Sequence, residues 1–450
     1  MKKYLFIFGL VGTALFTACS TADDLISEKP FETPIVEEPK ENALIVEAGQ
    51  NSEVPITLGV GESRGYTRNP IESGEGKVFS TEDGCLGVFC LATGTQSNVS
   101  NIPSEISANK WKDDNTGLLV RMKNVPAKVV NGNVTFLDGD GEDPDKVKHY
   151  YYPMGNWMKY NFYSYYPRQK EDITYAGVPR KTIEFNKVGT YYYLLEKYFE
   201  IDGTQDIIWG KAHPETAPKV STPKDADPFC AKYFRLKKDS IASNDPSHPE
   251  KISELYPKMT FEHKLVQFRF FVKAVNPKVA DEITINNMYI PNALGYLSLV
   301  MANQDPNPAA NMKEGTINLF GNKVVTKKLN IKQLKGEHKD EDSFDGVNSK
   351  AITTSVDYDN PIGYLMLASP TIAGSFKYSL FLDFSADDSK HNLGFDSTGT
   401  LSVDLDIDGG FKEGNIYNIV VTIQSPEEIH ATATLDNWTP VAAPVELNAN

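Results

Sequence analysis

Apolar side chains recur at every second position through much of the chain, and polar or turn-forming clusters separate the runs. A period of two fits a half-buried β-strand, whose successive side chains point to opposite faces. Such runs stand at 54–60, 86–91, 134–137, 161–165, 206–209, 260–272, 283–290, 364–367, 376–384, 401–407, 417–423 and 431–438. The pattern at 191–198 predicts a short helix, and no stretch carries the 3.6-residue period of a long one. Many short strands, with 32 Gly and 27 Pro in the chain, predict an all-β protein of β-sandwich domains.

The polar stretch at 213–256 has little apolar periodicity and marks a junction, dividing the chain into an N-terminal domain at 51–256 and a C-terminal domain at 257–450. Residues 303–315 and 335–350 read as long loops of the second half. No fixed-period repeat is visible.

Before the first run the pattern changes. Met1-Lys2-Lys3, a weakly polar run from Tyr4 to Phe16 and Thr17-Ala18-Cys19 together read as a bacterial lipoprotein signal. Its 13-residue apolar run is shorter than the roughly 20 residues of a membrane span. Residues 1–18 are expected to be removed and Cys19 to take the lipid, since its thiol accepts a diacylglycerol and several acyl chains hold durably where one does not. Phe16 stands where such signals usually carry Leu. Residues 19–50, rich in Glu, Pro and Lys, read as a flexible tether.

Charge narrows the partners. The formal net charge is −15, and loss of Lys2 and Lys3 makes it more negative, so nucleic acid and anionic lipid surfaces would repel the chain. About 430 residues remain after processing, more than one hydrophobic core normally organises.

Candidate chemistry is sparse. Cys85 and Cys90 sit five steps apart on one predicted strand, roughly 16 Å, which is too far for a disulfide; Cys230 lies in a predicted loop. Asp404, Asp406 and Asp408 imitate a calcium loop, but Asn415 stands where a Glu is needed, and the cluster from Asp138 to Asp145 lacks the central Gly. The first reads as a half-buried strand with a wet acidic face and the second as a solvated turn. No hydrolase, zinc-protease or phosphate-loop motif occurs, and the seven His form no ligand-spaced pair. The chain therefore reads as noncatalytic, without metal or cofactor. His263 shares a strand face with Phe261 and Leu265 and reads as a hydrogen-bonded packing residue. The aromatics from Tyr150 to Tyr166 could stack on sugars, but alternation sends about half of them inward.

Several segments resemble the fimbrillin family of lipoprotein-derived pilins and adhesins. Phe261-Glu262-His263-Lys264-Leu265 looks like its F-x-H-x-L strand, Phe162-Tyr163-Ser164-Tyr165-Tyr166-Pro167 like its F-x-A-Y-Y-P, Gln205-Asp206-Ile207-Ile208-Trp209-Gly210 like its D-L-L-Y-A, and Gly414-Asn415-Ile416-Tyr417 to Trp438 like its closing strand and tryptophan. Gly87-Val88-Phe89 and Ile290-Pro291-Asn292-Ala293-Leu294-Gly295 agree. Ser164 and Trp209 depart from the family's usual Ala and Tyr.

The resemblance implies two transthyretin-like β-sandwich domains in tandem. It also implies a precursor that is exported to the cell surface, held in the outer membrane by its lipid, cut after an Arg and assembled by strand donation with other fimbrial subunits or with itself. Val54, Ile56, Leu58 and Val60 would belong to the strand removed by a cut after Arg68, with Arg64 as the alternative. Val441, Ala443, Val445 and Leu447 repeat the same alternation and would be the donor entering a neighbour's groove. A host protein or glycan would be the adhesion partner. The alternative reading is a permanently lipidated glycan-binding protein of an uptake system, which would keep Cys19.

Overall fold

In the computed structural model, described residues are 54–60, 85–92, 111–113, 119–130, 133–141, 143, 145–152, 160–169, 173–175, 178–188, 192–213, 257–305, 307–331, 352–358, 360–387, 389, 398–425 and 428–436. All belong to one contact unit, Glu47–Asn450. The signal, the tether, Cys230 and the 213–256 junction beyond His213 lie outside them.

The first half supplies β1 (Val54–Pro55), β2 (Leu58–Val60), β3 (Leu86–Ala92), β4 (Val120–Val130), β5 (Asn133–Phe136), β6 (Tyr151–Tyr152), β7 (Tyr160–Tyr166), β8 (Ile173–Tyr175), β9 (Val178–Arg180), β10 (Ile183–Val188), β11 (Tyr192–Glu200) and β12 (Ile208–His213). The second supplies β13 (Lys258–His263), β14 (Val266–Ala274), helix α1 (Pro277–Glu282), β15 (Ile283–Leu294), β16 (Tyr296–Asn303), β17 (Ile317–Leu319), β18 (Thr326–Asn330), β19 (Gly363–Leu367), β20 (Ser379–Ala386), β21 (Thr398–Asp404), β22 (Ile416–Ser425) and β23 (Glu428–Asp436).

Seven strands close a barrel in the order β12-β13-β2-β5-β4-β3-β7. Closure removes the open edges that a sheet of so many aromatic and β-branched residues would otherwise expose. Inside it, β3 is buried along its whole length and β7 nearly so. Gly87 in β3 is required by close approach: a Cβ there would overlap Asn124 Oδ1 and the ring of Tyr165, whose hydroxyl donates to Asn124 Oδ1 at 2.8 Å.

Two four-stranded sheets, β19-β14-β22-β23 and β18-β15-β20-β21, face each other across Phe268, which packs edge-on to Tyr378 and Phe411. A third, β10-β11-β16-β17, takes two strands from each half of the chain. Its β11 lays Phe199 against Tyr165 of the barrel, and one continuous core runs through all of these layers.

Two expectations are corrected, and one element is added. The predicted helix at 191–198 is strand β11, which pairs with β10 and β16 along its length; aromatic and branched side chains buried on both faces erase the alternation that marks a strand. The run 260–272 is two strands, because the chain leaves the barrel after His263 and enters a different sheet at Val266. A helix unread in the sequence, α1, starts where the Asn276 side chain accepts from Val279 N with Pro277 in the first turn.

Candidate functional site

Residues 54–60 divide between two pairings: β1 pairs with β6 alone, and β2 sits between β5 and β13 in the barrel. Val54 faces Tyr152 across the β1-β6 pair, and Ile56 N donates to Tyr150 O at 2.7 Å. β2 then runs antiparallel to β5, with Leu58 opposite Val134, and parallel to β13, with Val60 opposite Met259. Gly59 N donates to Pro257 O at 2.9 Å. The expected alternation holds: Val54, Ile56 and Leu58 are 6%, 5% and 0% exposed, while Val60 is half-buried against the same core. Pro55 and Thr57 point the other way and are half-buried. Burying three such side chains stabilises by roughly 5–9 kcal/mol as an upper bound, comparable with the whole stability of an ordinary domain.

The aromatics beside this segment are core. Tyr152, Tyr160, Phe162, Tyr163 and Tyr165 are at most 2% exposed, and Tyr152 packs on both Tyr160 and Phe162.

A second constellation joins the barrel to the strands of the second half. Trp209 of β12 donates from Nε1 to Met301 O at 3.1 Å, and its ring lies over Gly315, where a Cβ would stand 2.9 Å from it. Gly315 has φ +77°, a conformation glycine accepts without strain. Next to it, Glu314 accepts from Tyr163 Oη at 2.7 Å, from Lys211 Nζ at 2.6 Å and from Asn303 N at 3.2 Å. Burial, then the Glu314 charge, pushes the Tyr163 hydroxyl well above its ordinary value. Glu314 lies in the predicted 303–315 loop, and nothing in its sequence surroundings marks it as a clasp.

His263 does pack and hydrogen-bond, as expected: its Nδ1 meets Asp206 Oδ2, both side chains being closed to solvent. The partner escaped the sequence reading, although Asp206 and His263 each stand in a segment that resembles a fimbrillin motif.

The acidic clusters carry surface ion pairs, Asp138 with Lys148 at 3.2 Å, Asp143 with Lys146 at 3.4 Å and Asp406 with Lys377. No group of three His, Cys, Asp or Glu able to hold a metal occurs among the described residues. Cys90 is buried inside β3, which pushes its thiol well up, and Cys85 stands just before that strand. Cys19, Arg64, Arg68, Val441, Ala443, Val445 and Leu447 lie outside the described residues, as does Trp438.

No family model and no curated protein matches the chain. Solved structures do match across most of it. A protein of Bacteroides uniformis provisionally assigned to cell adhesion aligns over 87% of this chain and 100% of its own, with 11% identity and a TM-score of 0.40. Another so assigned, from Bacteroides ovatus, aligns over 86% and 99%, with 13% identity and a TM-score of 0.39. The fimbrial anchor protein Mfa2 from Porphyromonas gingivalis aligns over 85% and 97%, with 10% identity and a TM-score of 0.29.

Proposed function

We propose that this chain is a noncatalytic surface protein of the fimbrillin type: two transthyretin-like β-sandwiches acting as a pilus subunit or pilus-associated adhesin that assembles by strand exchange. The setting of residues 54–60 carries the reading. They are a short apolar segment whose β2 part has neighbours on both sides, and Arg64 and Arg68 follow it closely in sequence. A cut after Arg68 would leave the segment held only by its ladder bonds and three buried side chains. Once it departs, β5 and β13 each lose a hydrogen-bonding partner and the core beneath opens to water.

Such a vacancy accepts an extended segment with apolar side chains at alternate positions. Val441, Ala443, Val445 and Leu447 supply that pattern near the other end of the chain. On this reading Cys19 holds the precursor in the outer membrane, processing releases it, and the partners are other fimbrial subunits or further copies of the chain. Deleting residues 441–450 tests the proposal: the expected product is a folded monomer unable to polymerise, and normal fibres from the truncated chain would refute donation.

A further inference from the structure

We propose that the outer face of the β18-β15-β20-β21 sheet carries a binding slot for a neutral hexopyranose, with Phe381 as its aromatic wall. The inward side of this sheet is ordinary core: Met288, Ile290, Leu380, Leu382, Phe384 and Leu401 are all buried. The outward side departs from the usual polar surface. Tyr289 and Phe381 stand opposite each other in register, with ring centroids 5.5 Å apart and planes 23° from parallel. That spacing is closer than two rings lying flat, edge to edge, can approach, so the pair stands up from the sheet as a stack.

Each end of the stack has a different neighbour. Lys328 Nζ sits 3.6 Å from the Tyr289 centroid and covers that ring. Beyond Phe381 the paired residue is Ser402, which is exposed and too small to cover an aromatic face. Phe381 is itself half-buried, and among the described residues the side chain paired with its far side, on a strand hydrogen-bonded only to β20, is this small serine.

What surrounds this face selects the ligand. Ser402 and Thr400 present hydroxyls; Asp383 accepts from Thr400 Oγ1 at 2.7 Å, and Asp404 accepts from Ser379 Oγ at 2.7 Å. A pyranose offers what these groups need: a C–H face for the electron-rich ring and hydroxyls that donate to carboxylates. Charge decides between sugars. Asp383, Asp404 and Asp406 crowd this side and the nearby Lys377 is engaged with Asp406, so a uronate or sialate would be repelled while a neutral hexose would not.

The slot supplies a ligand class to the adhesion reading and rests on that reading for its biological setting only. Binding is measured on the unassembled chain, so its failure would leave strand exchange untouched, and failed assembly would leave the slot untouched. The experiment measures binding of the full chain to immobilised mannan, galactan and polygalacturonate, with Phe381→Ala and Ser402→Phe as variants. Ser402→Phe fills the slot from an exposed position on an edge strand, so it stays informative where removal of the Phe381 ring unfolds the sheet. The expected result is binding to at least one neutral polymer, none to polygalacturonate, and a loss of about tenfold or more in each folded variant. No binding to either neutral polymer, or undiminished binding by folded Ser402→Phe, overturns the proposal.

Discussion

Asp206 and His263 meet side chain to side chain in the interior, at the point where the chain leaves the barrel for the second set of sheets. Backbone bonds reinforce the place: Lys264 N donates to Ile207 O at 2.7 Å, and Gly414 N donates to Leu265 O at 2.8 Å. Lys264 also reaches Glu413 at 3.0 Å. The pair thus pins the end of β13 to the approach to β12 while the next residues turn into β14.

Removing one partner should be costly, because the other is left polar and closed to water. His263→Ala is expected to lower unfolding stability by about 3–5 kcal/mol in denaturant titrations. Once Asp206→Asn is made, the further loss on His263→Ala should be much smaller, since the two act together. Additive losses would mean that each residue works through separate contacts.

Leu58 is the most deeply set side chain of the proposed exchangeable segment. Leu58→Ala should cost the precursor about 2–5 kcal/mol. If assembly replaces this segment, fibres formed from processed Leu58→Ala protein should be as resistant to denaturant as the parent's. Equal weakening of both forms would place the segment inside the assembled subunit.

Glu314 ties β7, β12 and β16 together through Tyr163, Lys211 and Asn303. Glu314→Ala is expected to cost about 1–3 kcal/mol, chiefly from the polar partners left behind. Hydrogen exchange should accelerate at Asn303 N while amides of β22 stay protected. An unchanged rate at Asn303 would show the clasp to be ornamental.

The turn after β5 should loosen in acid. The Gly139 amide, then Lys148, hold the Asp138 carboxyl below its ordinary value, and the Asp145 amide does the same for Asp143. A folded value below the unfolded one means the interaction is fully present above the unfolded value and is lost as pH falls through the folded one. Carboxyl NMR titration should find both groups low, and Asp138→Asn should remove the acid-induced exchange at Lys146 and Lys148. A transition near the free carboxylate value would contradict the assignment.

Strands with an unbroken apolar or alternating run were legible, β3 and β19 included although both are buried along their whole length, while β11 and β4 were not. β20 alternates Leu380, Leu382 and Phe384 against Phe381 and Asp383, and residues 54–60 show the same period. By contrast, β11 buries both faces and carries Glu196 and Lys197, which together imitate a helix. Lys197 is fully buried, its ammonium donating to Gln169 at 3.0 Å and lying 5.4 Å and 5.3 Å from the Tyr165 and Phe199 ring centroids. Strand β4 hides behind Arg121, Lys123 and Pro126, and Asn124 breaks its regularity with φ +51°. His263 was readable as a packing residue because its neighbours alternate. Its partner was not, since the 57 positions that separate them are bridged only by folding.

The most direct test is the N-terminal sequence of the protein taken from assembled fibres on the cell surface. Strand exchange after processing requires chains that begin at Asn69, or at Gly65 if the alternative arginine is used, and lack Val54 to Val60. Fibres built of chains that still begin at an acylated Cys19 would contradict the account and favour a permanently anchored binding protein.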